Sequence, residues 1–158
     1  MVILCSKQVL TRDARPSRKG PTADGSLFDA SAIINLLISR GNRIIDLLTG
    51  NWILDLTVYE VGNEIWKMNK IHRKISSSEA DILLESLLSI AADRMKLVPS
   101  AAIDHLSSLG LAREERLSFC DASYLSAAIE RELVPVTDDR RLFEAAGKHV
   151  KVRASTEV

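Results

Sequence analysis

Apolar residues recur along this chain in two alternating rhythms. Short apolar runs that end at an acid or a turn residue are followed by stretches in which aliphatic side chains return every three or four positions, the periods of strand and helix. Ser26-Leu27-Phe28 is such a run, closed by Asp29; Ala32, Ile33, Leu36 and Leu37 then recur at helical spacing until Gly41. A helix is predicted over Arg43 to Leu48, a strand over Trp52 to Leu56, and a helix from Thr57 to about Lys70 with Val61, Ile65 and Met68 inward. Next come a helix opening at Ser77-Ser78-Glu79 with Ile82, Leu83, Leu87 and Ile90 inward, and a strand from Lys96 to Val98. A helix from Ala101 to Leu111, with a break at Gly110, leads into a polar connection over Arg113 to Arg116. The chain closes with a helix from Ser118 to Glu132, a strand from Leu133 to Val136, a helix from Arg140 to Ala146 and an edge strand over Val150 to Arg153.

Strands alternating with helices predict a three-layer α/β/α domain with a four- or five-strand, mostly parallel sheet, spanning residues 26–158. Residues 1–25 break the rhythm. Lys7, Arg12, Arg15, Arg18 and Lys19 stand there among Pro16, Gly20, Pro21 and Gly25, and the segment reads as a flexible basic leader. An arm for nucleic acid or a partner is the alternative, and Val2 to Leu4 offers an additional edge strand.

Composition narrows the class. At 158 residues, 46% hydrophobic and 27% charged, the chain is long enough for one real core. Lys plus Arg and Asp plus Glu both number 21, so no global field draws the protein to nucleic acid or lipid. Cys5 and Cys120 have no metal or disulfide spacing, and no apolar run reaches membrane length, so a reduced, cytoplasmic protein is expected.

The acids change the picture. In a parallel sheet with right-handed crossovers, helix N-termini gather at the carboxyl edge of the strands, where such folds bind ligands. Asp29 follows the first strand, Glu60 lies on the first turn after the second, Asp121 opens the helix before the fourth, and Asp139 follows the fourth. Taken singly, each has a capping explanation: Thr57 to Glu60 and Ser118 to Asp121 resemble capping boxes, and Asp29 and Asp138 fit N-caps. Capping does not account for their meeting at one edge. Two carboxylates about 4 Å apart repel by roughly 4 kcal/mol at an effective dielectric near 20, so four in one crevice either protonate or recruit a cation. Oxygen donors without His or Cys select a hard one, Mg²⁺ with Mn²⁺ as a substitute. A metal so held suits phosphodiester hydrolysis. No P-loop or GxSxG elbow is present, and His72, His105 and His149 are scattered.

Phe28-Asp29-Ala30-Ser31, Tyr59-Glu60-Val61-Gly62-Asn63, Asp121-Ala122-Ser123-Tyr124 and Thr137-Asp138-Asp139-Arg140, in this order and element context, resemble the motifs of PIN-domain nucleases. The resemblance covers about Ser26 to the C-terminus. It implies a Mg²⁺- or Mn²⁺-dependent endoribonuclease acting on single strands, most often the toxin of a VapBC-type pair, commonly a dimer neutralised by a cognate antitoxin. It also implies Asp29, Glu60, Asp121 and Asp139 as metal acids, with Ser31, Asn63 and Thr137 in support. Asp139 fits the family's T-x-D spacing, which leaves Asp138 as the helix cap.

Other readings remain beside these. Glu64 extends the acidic face or pairs with Lys67, and Lys67, Lys70, Arg73 and Lys74 form either a phosphate-binding cluster or a solvated helix end. Trp52, Tyr59 and Trp66 are read as core or interface in preference to base-stacking, and Cys120 as a packed thiol. A housekeeping RNA-processing or DNA-repair nuclease of the same fold, a receiver-like phosphoacceptor and a silent binding domain are the competing functions. The phosphoacceptor needs a Lys after a late strand, and none follows Val136.

Overall fold

A computed structural model describes residues 25–158. The expectations for the basic leader, the Val2 to Leu4 strand and Cys5 lie outside the described residues. Within them, four three-residue strands, β1 (Ser26–Phe28), β2 (Trp52–Leu54), β3 (Lys96–Val98) and β4 (Val134–Val136), form one parallel sheet in the order β3-β2-β1-β4. Seven helices surround it: α1 (Ala30–Arg40), α2 (Ile44–Leu48), α3 (Asp55–Lys70), α4 (Ser77–Arg94), α5 (His105–Glu115), α6 (Phe119–Arg131) and α7 (Arg140–Ala146).

Period-2 alternation in such short strands sends neighbouring residues to opposite faces, and each face has its own core. Leu27 and Leu54 enter the cluster under α5, α6 and α7 with Leu125, Leu133 and Leu142. Phe28 and Ile53 enter the cluster under α1 to α4 with Ile33, Leu36, Val61, Ile65 and Leu87. The result is the expected three-layer α/β/α arrangement with a four-strand sheet. The predicted fifth strand is reduced to one bridge, Val136 with Arg153, whose amide donates to Pro135.

Several boundaries differ from the sequence reading. β2 ends at Leu54 because the Thr57 hydroxyl accepts the Leu54 amide and turns the chain into α3 two residues early. α5 starts later than expected, where the Asp104 carboxylate caps the amides of Leu106 and Ser107. It then runs through Gly110 and the charged stretch to Glu115, and Arg116 ends it at φ 57°. On α4, Leu87 and Ile90 are buried, but Ile82 is 61% exposed, since it lies a quarter-turn away from the Leu83 and Leu87 row. Tyr59 and Trp66 are 78% and 52% exposed on the outer ridge of α3, so neither belongs to the core.

Candidate active site

Asp29 is the most tightly held acid. The β1–β4 ladder continues one bond past the strands, from the Asp29 amide to Val136, and leaves its carboxylate at the start of α1. Oδ1 accepts the Ala32 amide at 2.8 Å and caps the helix. The Ser31 hydroxyl lies 2.8 and 2.9 Å from the two carboxylate oxygens, and the Thr137 hydroxyl donates to Oδ2 at 2.5 Å. Ser31 Oγ also accepts the amides of Asp138 and Asp139, and Thr137 Oγ1 accepts the Asp139 amide. Two hydroxyls therefore fasten the turn after β4 to the turn after β1. Burial pushes the Asp29 carboxyl up to about 6; the donors from Thr137, Ala32 and Ser31 oppose this, and the charge of Asp138 adds to it.

Glu60 lies one turn into α3, and no capping box holds it there. Thr57 is the third residue of that helix and caps nothing with Glu60, so the carboxylate turns instead to α6, where the Tyr124 hydroxyl donates to Oε2 at 2.8 Å. Burial raises the Glu60 pKa; the Tyr124 bond lowers it, the charge of Asp121 raises it, and the Cys120 thiol lowers it slightly. Burial, with the charges of Glu60 and Asp121, pushes the Cys120 thiol up, which keeps it protonated and unsuited to nucleophilic work. Asp121 is held by Ser118, whose hydroxyl accepts the Asp121 amide at 3.1 Å and contacts its carboxylate at 2.7 Å. This is half of the expected box, with the carboxylate on the Ser118 hydroxyl in place of the Ser118 amide.

Of the two adjacent acids after β4, the capping role falls to the other one than expected. Asp139, not Asp138, is the N-cap of α7, accepting the Leu142 amide at 2.9 Å, because the helix starts at Arg140 and the residue directly before it is the one placed to cap. Asp138 turns back to bind Asn35 Nδ2 at 2.6 Å and the Ser155 amide at 2.8 Å. Burial raises its pKa, but the bonds from Ser155 and Asn35 outweigh this and hold it low.

A cleft of about 470 Å³ opens between these elements, lined by Asp29, Ser31, Glu60, Asp121, Asp138 and Asp139, with Asn63, Glu64 and Lys67 from α3 and Tyr124 from α6. Thr137 sits behind it, fully buried. Among the described residues of the lining the one lysine, Lys67, is paired with Glu64 at 2.5 Å, so no unpaired cation among them stands beside the remaining carboxylates. That donor set, all oxygen and mutually repelling, fits a hard divalent cation. It is a shared cleft and not a finished cage: among the described residues no three His, Cys, Asp or Glu side chains are closed into a metal-binding group.

Two contributors escaped the sequence reading. Tyr124 lies one turn after Asp121, and an aromatic with a polar tip among Ala, Ser and Leu on a helix carrying an acid was the available signal. Asn35, one turn beyond Ser31, has no signal short of the fold itself.

No family model matches the chain. It is 38% identical over 117 residues to exonuclease VapC9 of Pyrobaculum aerophilum, across 74% of this chain and 82% of that protein. The crystal structure of PAE2754 from Pyrobaculum aerophilum superposes with a TM-score of 0.67 at 32% identity, covering 85% of this chain and 88% of the other. A toxin-antitoxin complex from Klebsiella pneumoniae shares the fold, with a TM-score of 0.52 at 21% identity over 75% of this chain and 90% of that one. With its four-strand parallel sheet, acid-lined carboxyl edge and identity to VapC9 over most of both sequences, the chain belongs to the VapC family of PIN-domain proteins.

Proposed function

We propose that this protein is a metal-dependent endoribonuclease that hydrolyses phosphodiester bonds in single-stranded RNA, and that it is the toxin of a toxin-antitoxin pair. The observation that carries the reading is the cleft lined by carboxylates from four separate elements, whose one lysine among the described residues is already paired with Glu64. Asp29, Glu60, Asp121 and Asp139 would hold Mg²⁺, or Mn²⁺ in its place. Bound there, the cation would neutralise the phosphate, lower the pKa of water and stabilise the leaving oxygen. Ser31 and Thr137 hold the Asp29 carboxylate by hydrogen bonds, and Asn63, which lines the cleft from α3, would donate to substrate. Glu64 and Asp138, each engaged by a partner, shape the rim.

The toxin assignment draws on the relationship to VapC9 and the fold shared with a toxin-antitoxin complex, and its partners would be a cognate antitoxin and a second copy of the chain. Among the described residues no helix is long and apolar enough to cross a membrane; the proposed place of action is the cytoplasm. VapC9 is named an exonuclease, which supports a second reading in which cleavage starts from a strand end. A circular RNA separates the two, because only an endonuclease opens it.

The test of the site is Asp29→Asn and Asp121→Asn. Each is expected to reduce Mn²⁺-stimulated RNA cleavage to background while the protein still melts cooperatively. Wild-type cleavage by either variant would remove the assignment.

A further inference from the structure

We infer that Tyr124 is a positioning residue for Glu60, acting through a hydrogen-bond chain that begins at the backbone of β2. The inference rests on the proposed role of Glu60 in the cleft and adds to it the group that aims this carboxylate. Its geometry leaves one polarity. The Leu54 amide donates to Thr57 Oγ1 at 3.1 Å. Thr57 Oγ1 lies 2.8 Å from the Tyr124 hydroxyl oxygen, which in turn lies 2.8 Å from Glu60 Oε2. An ionised Glu60 can only accept, so Tyr124 gives its single proton to Glu60 and Thr57 gives its own to Tyr124. Every donor is then used once, from the end of β2 through α3 and α6 and back to α3.

The core alone does not require this chain. The Tyr124 ring is packed in the cluster beneath α5 and α6, where the Thr57 hydroxyl by itself would satisfy its oxygen. The second bond goes to a half-buried side chain on the cleft wall and restricts a carboxylate with several rotatable bonds. Tyr124 also lies one turn from Asp121 on the same helix, so a single rigid element presents one acid and fixes another. Hydrogen bonds among charged and polar groups in such a chain reinforce one another, and groups that orient metal-ligating side chains weigh heavily on affinity.

The test is Tyr124→Phe, which removes one oxygen and keeps the ring. Crystal structures of wild type and variant are expected to show the Glu60 carboxylate displaced from its wild-type position. Calorimetric titration with Mn²⁺ should show binding weakened roughly 10- to 100-fold in the variant. In a Glu60→Gln background, adding Tyr124→Phe should alter Mn²⁺ affinity by less than about twofold, because the two act as a unit. A carboxylate that stays in place in Tyr124→Phe overturns the inference, as does an equal loss of affinity with and without Glu60, which would mark a purely structural role. If wild type itself binds no Mn²⁺, the metal reading of the cleft fails, and the position of Glu60 in the two crystal structures still decides the role of Tyr124.

Discussion

The two walls of the cleft hold their acids by different means. On the β1–β4 wall, Asp29 is buried and receives a backbone amide and two hydroxyls, one of them from a residue 108 positions away. On the α3–α6 wall, Glu60 has one phenol and a weak thiol, and Asp121 has the hydroxyl of its own N-cap. One wall is therefore welded into the sheet, whereas the other depends on single side chains of two helices. A site built this way keeps one acid fixed and leaves the opposite ones more freedom to adjust.

The largest way to expose this difference is to titrate the welded wall. Asp29 is buried and its carboxyl is raised from an ordinary 3.8 to about 6, so the folded state binds the proton more tightly than the unfolded chain does. Stability from this group is fully present below about 3.8, declines as pH rises, and is lost above about 6. The difference is on the order of 3 kcal/mol, and Asp29→Asn should recover much of it at pH 7 in metal-free protein. Urea melts of wild type and variant at pH 5 and pH 7 with chelator measure it. A variant no more stable than wild type at pH 7 would contradict the account of Asp29 as a charge buried at a cost.

Thr137→Val comes next. It removes a donor to Asp29 from a fully buried position, and at pH 7 should cost about 2 kcal/mol, the range for hydrogen bonds to charged groups. At pH 5 the loss should shrink, since Asp29 then carries its own proton. Equal losses at the two pH values would show that Thr137 matters for packing and not for the carboxylate. The smallest effect belongs to the looser wall: Ser118→Ala deletes the N-cap of α6 and should lower stability by about 1 kcal/mol. A thermal melt checks it, and a loss as large as that for Thr137→Val would erase the contrast between the walls.

Much of the layout was legible beforehand because the information is local. Alternating periods mark the strands and helices, and acids at the ends of apolar runs mark the sheet edge. What stayed hidden depends on direction in space. Asp138 and Asp139 are adjacent in sequence and equally able to cap; only the point where α7 starts, and the presence of Asn35 and Ser155 behind the turn, decide which one does. Thr57 looked like a cap because a Thr precedes Glu60 by three, but its hydroxyl is taken by Leu54 from a strand that ends early. By sequence Tyr59 and Trp66 read as core or interface, and the core half of that reading fails because aromatic type says little about helix face. Their position opposite Val61 and Ile65 on α3 turns them outward.

The Ser31 hydroxyl has a consequence in time. It joins the turn after β1 to amides 107 and 108 positions later, and Thr137 returns the same connection to Asp29. During synthesis, the first acid emerges long before the groups that hold it, and β4 must dock beside β1 before that wall of the cleft exists. In a nascent chain that wall of the cleft therefore stays unassembled until the turn after β4 has left the ribosome and reached Ser31.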